Sequence, residues 1–111
     1  MLLEKRDQAL LLDMGWAAKE AIAFVGKMNE AEFLKDPKTQ KAVEREFEIM
    51  GEAARSLSEQ ARSQHPQVPF KAIIGMRNIL AHDYGRVDPK ELWATVHASL
   101  PALLAELKAE R

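Results

Sequence analysis

The sequence predicts an all-α protein, an antiparallel bundle of four main helices with one short extra helical turn. Three observations carry this. Apolar residues recur at helical spacing over most of the chain, no stretch alternates with the two-residue period of a half-buried strand, and the five Gly and five Pro fall largely between the periodic segments. At 111 residues the chain reads as one domain spanning 1–111, with a single modest core.

The first helix is expected over about residues 4 to 28, where Leu11, Met14, Ala18, Ala21, Val25 and Met28 form a stripe at spacings of three and four. Glu30 to Lys35 reads as a short helical turn. Asp36 is then an N-cap and Pro37 the first residue of the second long helix. Val43, Phe47, Met50, Ala54, Leu57 and Ala61 continue that helix on one face. Gly51 lies in its interior, where glycine costs about 1 kcal/mol relative to Ala; the usual return is close approach of another helix. Pro66 and Pro69 break the chain, and the linker residue His65 is expected to be solvated. The third helix is expected from about 70 to 82, ending near Gly85 as a C′ residue. Asp88, Pro89 and Glu91 form the start signal of the fourth, with Val87 and Leu92 as a hydrophobic staple. Trp93, Val96, Leu100, Leu103 and Leu107 extend its apolar stripe, and Pro101 is expected to kink it. His97 reads as a packed or interface residue, and Trp16 and Trp93 as core or dimer-interface aromatics.

Charge narrows the function classes. Sixteen basic against 17 acidic side chains give a formal charge of -1, which argues against a general nucleic-acid coat but leaves room for a local phosphodiester site. Without Cys there is no thiolate catalysis, no Cys-ligated zinc and no disulfide. Glu4, Asp7 and Asp13 interrupt any export signal, and no uncharged run reaches the roughly 20 residues a bilayer requires. A soluble, cytoplasmic protein without membrane contact is expected.

The segment "MRNILAHDYG", Met76 to Gly85, concentrates reactive side chains. On a wheel of about 100° per residue with Arg77 at zero, Asn78 falls near 100° and His82 near 140°. Ile73, Met76, Ile79 and Leu80 lie on the opposite side, and the small residues Gly75 and Ala81 sit in or beside the polar arc. Arg presents a fork of donors suited to phosphate, His exchanges protons at neutral pH, and Asn can fix the imidazole or touch a ribose hydroxyl. These parts suit metal-independent RNA cleavage, in which the 2′-hydroxyl attacks the adjacent phosphate. They equally suit a solvated helix face, and the residues alone leave both readings open. Such cleavage benefits from two proton-transfer groups where the motif has one His, so pairing of two chains is a mechanistic expectation. Glu44, Glu48 and Glu52 repeat every fourth residue; with Lys41, Arg45 and Arg55 nearby they read as a solvated ion-pair face rather than a metal site.

Arg-x4-His-x-Tyr with Asn after the Arg resembles the HepT-like toxins of the HEPN family. The likeness extends to "FVGKM" (Phe24 to Met28), "EFLKDPKTQKAVEREFEIMGEAA" (Glu32 to Ala54), "VPFKAIIGMRNILAHDYGRVD" (Val68 to Asp88) and "LW" (Leu92-Trp93), with Phe70 where relatives often carry Trp. It implies a dimeric HEPN-like helical bundle, and an endoribonuclease without cofactor in which Arg77, Asn78 and His82 are the catalytic set. It further implies a minimal nucleotidyltransferase antitoxin as partner, which transfers AMP to Tyr84 and so silences the toxin. Lys71 and Arg86 flank the motif and are candidate contacts to the RNA backbone. The alternative is a non-catalytic helical module that binds a nucleotidyltransferase or a nucleotide.

Overall fold

The computed structural model describes residues 4–82 and 87–107, and its long elements follow from the apolar periodicity. Helix α1 (Lys5–Val25) buries Leu11, Met14, Ala18, Ala21 and Val25 on one face. It stops three residues short of the expected end. Gly26 adopts φ 56°, in the left-handed region that favours glycine, and its N–H donates to the Ile22 carbonyl. Asn29 then opens α2 (Glu30–Leu34) with a reciprocal box: its side-chain oxygen accepts from Glu32 N–H at 2.8 Å, and Glu32 Oε1 accepts from Asn29 N–H at 2.9 Å. This turn drives Phe33 into the core.

Asp36 caps α3 (Pro37–Ser56) as expected, accepting from Thr39 N–H at 3.1 Å and from the Thr39 hydroxyl at 2.8 Å. Those bonds hold its carboxyl below the usual carboxylate range. The expected continuous helix through Ala61 is interrupted. Leu57 turns to extended backbone, and Ser58 restarts the chain as α4 (Glu59–Ser63) by accepting from Ala61 N–H at 3.1 Å. The break is held from a distance by Asp7 of α1, which accepts from Ser58 N–H at 3.0 Å and from its hydroxyl at 2.7 Å. These two bonds keep the buried Asp7 carboxyl below its ordinary range. Leu57 and Ala61 remain buried across the break, which is why the apolar spacing alone concealed it.

His65 corrects a second expectation. It is only 6% exposed, with Nδ1 3.5 Å from Glu106 Oε1. Tight backbone bonds from His65 N–H to the Arg62 carbonyl and from Val68 N–H to the His65 carbonyl fold this proline-flanked segment inward, so Val68 is buried as well.

Helix α5 (Phe70–His82) matches its expected range. Helix α6 (Pro89–Leu107) begins after Asp88, whose side chain accepts from Lys90 N–H at 2.9 Å, and Val87 and Leu92 are both buried at this entry. The helix runs on through Pro101. In the bundle α3 is central, with α1 and α5 packed against it, while α6 packs against α1. Phe33, Phe47, Met14, Met50, Leu92 and Leu100 are among the fully buried side chains. Trp93 packs against this core, its ring 5.3 Å from Phe33 and 4.1 Å from the exposed His97 imidazole. His97 Nδ1 lies 2.9 Å from the Trp93 carbonyl, so its ring lies against its own helix at the surface and is not packed into the core. Trp16 is 60% exposed and is not part of the core, because its position on α1 lies outside the buried stripe. No helix among the described residues is long and apolar enough to cross a membrane.

One core-facing carboxyl has a pH consequence. Glu46 of α3 is buried beside Glu20 of α1; burial, followed by the contact with Glu20, pushes its carboxyl up to about 7. A raised carboxyl contributes stability that is fully present below its ordinary value near 4.5 and is lost as pH rises through about 7. Glu46→Gln is therefore expected to raise the melting midpoint by a few degrees at pH 8 and to leave it unchanged near pH 4.5. Melts across this range that run parallel for the two proteins would refute the assignment.

Candidate active site

Helix α5 presents its residues much as the wheel requires. Ile73, Met76 and Leu80 are buried, whereas Asn78 and His82 are exposed on the outer side, one turn apart. Lys71 is exposed on the same side, and a Cβ added at Gly75 would meet nothing within 4 Å. Lys71, Gly75, Asn78 and His82 thus form one open stripe at spacings of four, three and four.

Arg77 departs from the outward arc. Its side chain is 22% exposed and lies across α3 at the boundary between core and solvent. Gly51 makes this possible. A Cβ there would overlap the Arg77 Cβ, stand 2.6 Å from its Cγ, and lie 3.3 Å from the Ile73 carbonyl oxygen. The interior glycine has the close helix approach expected of it, and the residue seated in the gap is the motif arginine. The guanidinium is then held at two points. Nη2 is 2.9 Å from Glu52 Oε2, and Nη1 donates to Asn78 Oδ1 at 3.3 Å.

A surface groove of about 450 Å³ runs along α1, α3 and α5 beside this arginine. Asp13, Arg45, Glu48, Glu52, Arg77 and Ala81 are among its lining residues, so acidic groups outnumber basic ones on its floor. Two of those acids are paired with the two arginines, Glu48 with Arg45 and Glu52 with Arg77.

The structure therefore brings Arg77 and Asn78 into contact and leaves His82 exposed on the adjoining turn. Tyr84 and Arg86, like the expected C′ residue Gly85, lie outside the described residues. Lys71 is exposed three turns of spacing from His82 with no contact that assigns it a role. The glutamate row behaves partly as expected: Glu44 pairs with Lys41 at 3.4 Å, Glu48 with Arg45 at 3.8 Å, and Glu52 with Arg55 at 3.6 Å. Among the described residues no group of three His, Asp or Glu side chains gathers to hold a metal ion. Glu52 is the residue that the reading as a plain ion-pair face missed, since it also reaches Arg77. The signal was its place directly after Gly51, the point of closest helix approach.

Comparison with known proteins shows the family. The family model described as Ribonuclease HepT-like matches residues 14–110. The chain belongs to the HepT-like ribonuclease family. Among its relatives, a candidate RNase of Methanocaldococcus jannaschii is 37% identical over 107 residues, covering 96% of this chain and 88% of its own length. A second candidate RNase of that organism is 36% identical over 107 residues, covering 96% of this chain and 98% of its own. A Thermococcus cleftensis protein named "Probable ribonuclease HepT" is 32% identical over 109 residues, covering 98% and 99%. No solved structure matches this HepT-like chain.

Proposed function

We propose that this HepT-like protein is a metal-independent endoribonuclease, acting in the cytoplasm as the toxin of a pair with a minimal nucleotidyltransferase antitoxin. The observation that carries the nuclease reading is the placement of Arg77. A largely buried guanidinium is fixed through Gly51, Glu52 and Asn78, one turn from a solvent-facing histidine. In this reading Arg77 binds the non-bridging phosphate oxygens and the charge that grows on them as the 2′-oxygen attacks. His82 protonates the departing 5′-oxygen, and Asn78 keeps the guanidinium plane turned toward the phosphate.

The active form is a homodimer, with the second copy lying along the stripe of Lys71, Gly75, Asn78 and His82. The open space at Gly75 supports close approach of another backbone there. Two motif helices would then line one cleft, and Lys71 and Arg86 would meet the RNA backbone at its ends. Tyr84, two residues beyond His82, is the AMP acceptor. An adenylyl group there places bulk and negative charge beside Arg77 and blocks RNA by both.

Cleavage of single-stranded RNA by the purified protein, undiminished by EDTA and abolished in Arg77→Ala and in His82→Ala, tests the nuclease reading. If wild type and both variants are equally inert on tRNA and mRNA, the protein is a non-catalytic module that binds a nucleotidyltransferase or nucleotide. Intact mass after coexpression with the nucleotidyltransferase tests the acceptor: one AMP-sized increment is expected, and its persistence in Tyr84→Phe counts against Tyr84.

A further inference from the structure

The groove beside Arg77 has walls that the cleavage chemistry does not use. We propose that it is a base-binding subsite for guanine in the RNA substrate, with Asp13 accepting hydrogen bonds from the Watson–Crick edge of the base. This rests on the ribonuclease reading and names the nucleotide preference of that same site.

The groove has the size and polarity of a small-ligand pocket. Its volume of about 450 Å³ lies within the roughly 300–1,000 Å³ usual for such pockets. Leu10 of α1, Ile49 and Ala53 of α3 and Ala81 of α5 supply apolar surface suited to the face of a planar ring. The two arginines in the lining are already engaged. Arg45 Nη1 lies 3.8 Å from Glu48 Oε1, and Arg77 Nη2 lies 2.9 Å from Glu52 Oε2. Asp13 is exposed on α1 and, among the described residues, has no such pair. The groove therefore carries one carboxylate in excess, which disfavours a second phosphate and favours a neutral group rich in donors. Arg77 and Asp13 line the same groove, so a nucleotide held by its phosphate at the guanidinium can lay its base along these walls.

Guanine is the base that matches a lone carboxylate, which only accepts hydrogen bonds. It presents two adjacent donors, N1–H and the 2-amino group, to the two carboxylate oxygens. Adenine and cytosine each set one amino donor beside a ring nitrogen that carries a lone pair. Uracil sets one N–H between two carbonyl oxygens. Each of these three meets Asp13 with an acceptor that the carboxylate repels. Unstacked bases of single-stranded RNA leave this edge open to a protein, whereas pairing in a duplex occupies it. Every wall of the groove comes from one chain, so a site shared by two chains would hold two such grooves.

The test uses full-length protein and short oligouridine RNAs with one central guest nucleotide: guanosine, inosine, adenosine, cytidine or uridine itself. Wild type is expected to cut beside guanosine about tenfold faster than beside uridine, the discrimination of one bidentate base contact. Inosine, which lacks the 2-amino donor, should fall between them. Asp13→Ala, a change that an exposed helix position accepts, is expected to bring the guanosine-to-uridine ratio within about twofold of unity. Equal rates for all guests, guanosine no better than inosine, or a preference that survives in Asp13→Ala overturns the assignment, and each leaves the nuclease reading standing. If wild type cuts none of these RNAs, the nuclease reading falls by itself and affinity for the same RNAs decides the subsite. Binding of the guanosine RNA about tenfold tighter than oligouridine, lost in Asp13→Ala, upholds it; equal binding removes it.

Discussion

Arg77→Lys is expected to lower kcat/KM for RNA cleavage by roughly 10²–10³-fold, the loss typical of removing one preorganised donor to a developing oxyanion. Charge is retained in this variant, so the effect isolates geometry. The arginine stem threads the gap over Gly51, and a lysine stem can follow the same path. What cannot be reproduced is the fork. One edge of the guanidinium is engaged by Glu52 and another nitrogen by Asn78, while the plane still offers N–H groups outward. A lysine ammonium satisfies Glu52 as a point charge and has no second rigid edge to aim at phosphate. The loss should therefore appear mainly in kcat, because the donors matter most where charge grows on the phosphoryl oxygens. Arg77→Ala should fall further, since binding is lost too. A lysine variant within about threefold of wild type would mean that charge alone serves, and the fork argument would fail.

The sequence made the long elements legible because each buries one unbroken stripe. For α1, α5 and α6 the buried residues are largely those named from spacing. Spacing could not show the break at Leu57, since the stripe persists while the backbone changes course under a contact from Asp7, 51 residues away in sequence. His65 was misjudged for a related reason: prolines on a linker say where a helix stops, and nothing about whether the turn between them folds inward. At the site, the motif was readable as a set of residue types on one helix. The structural role of Arg77 was not, because it depends on α3. A wheel treats a helix as alone in solvent and so places Arg77 with Asn78 and His82, whereas Gly51 lets the stem lie flat between two helices. The sequence held the clue in an interior glycine followed by an acid, but only the packing of α5 on α3 shows which side chain uses it.

Gly51→Ala follows from that packing and meets the tightest contact of the described glycines. In an exposed helix interior the change would stabilise by about 1 kcal/mol. Here the new Cβ overlaps the Arg77 Cβ and sits 2.6 Å from its Cγ. These atoms lie at the root of the side chain, so rotation of its flexible end gives no relief. The Ile73 carbonyl oxygen at 3.3 Å stops the methyl from escaping toward the α5 backbone. The helices must separate. Overpacking of this kind costs about 1–3 kcal/mol, which outweighs the gain in helix propensity. A fall in the melting midpoint is therefore expected, with about 4–8 °C lost for each net kcal/mol. Gly15→Ala is the matched control: nothing stands within 4 Å of its added Cβ, and it is expected to hold or raise the midpoint. Cleavage should suffer more than stability, since a shift on the order of 1 Å at Arg77 can cost about 10²-fold in rate. Activity measured well below the midpoint separates the two effects. A Gly51→Ala protein that melts no lower than wild type would show that α5 does not lie on α3 as closely as the structure has it.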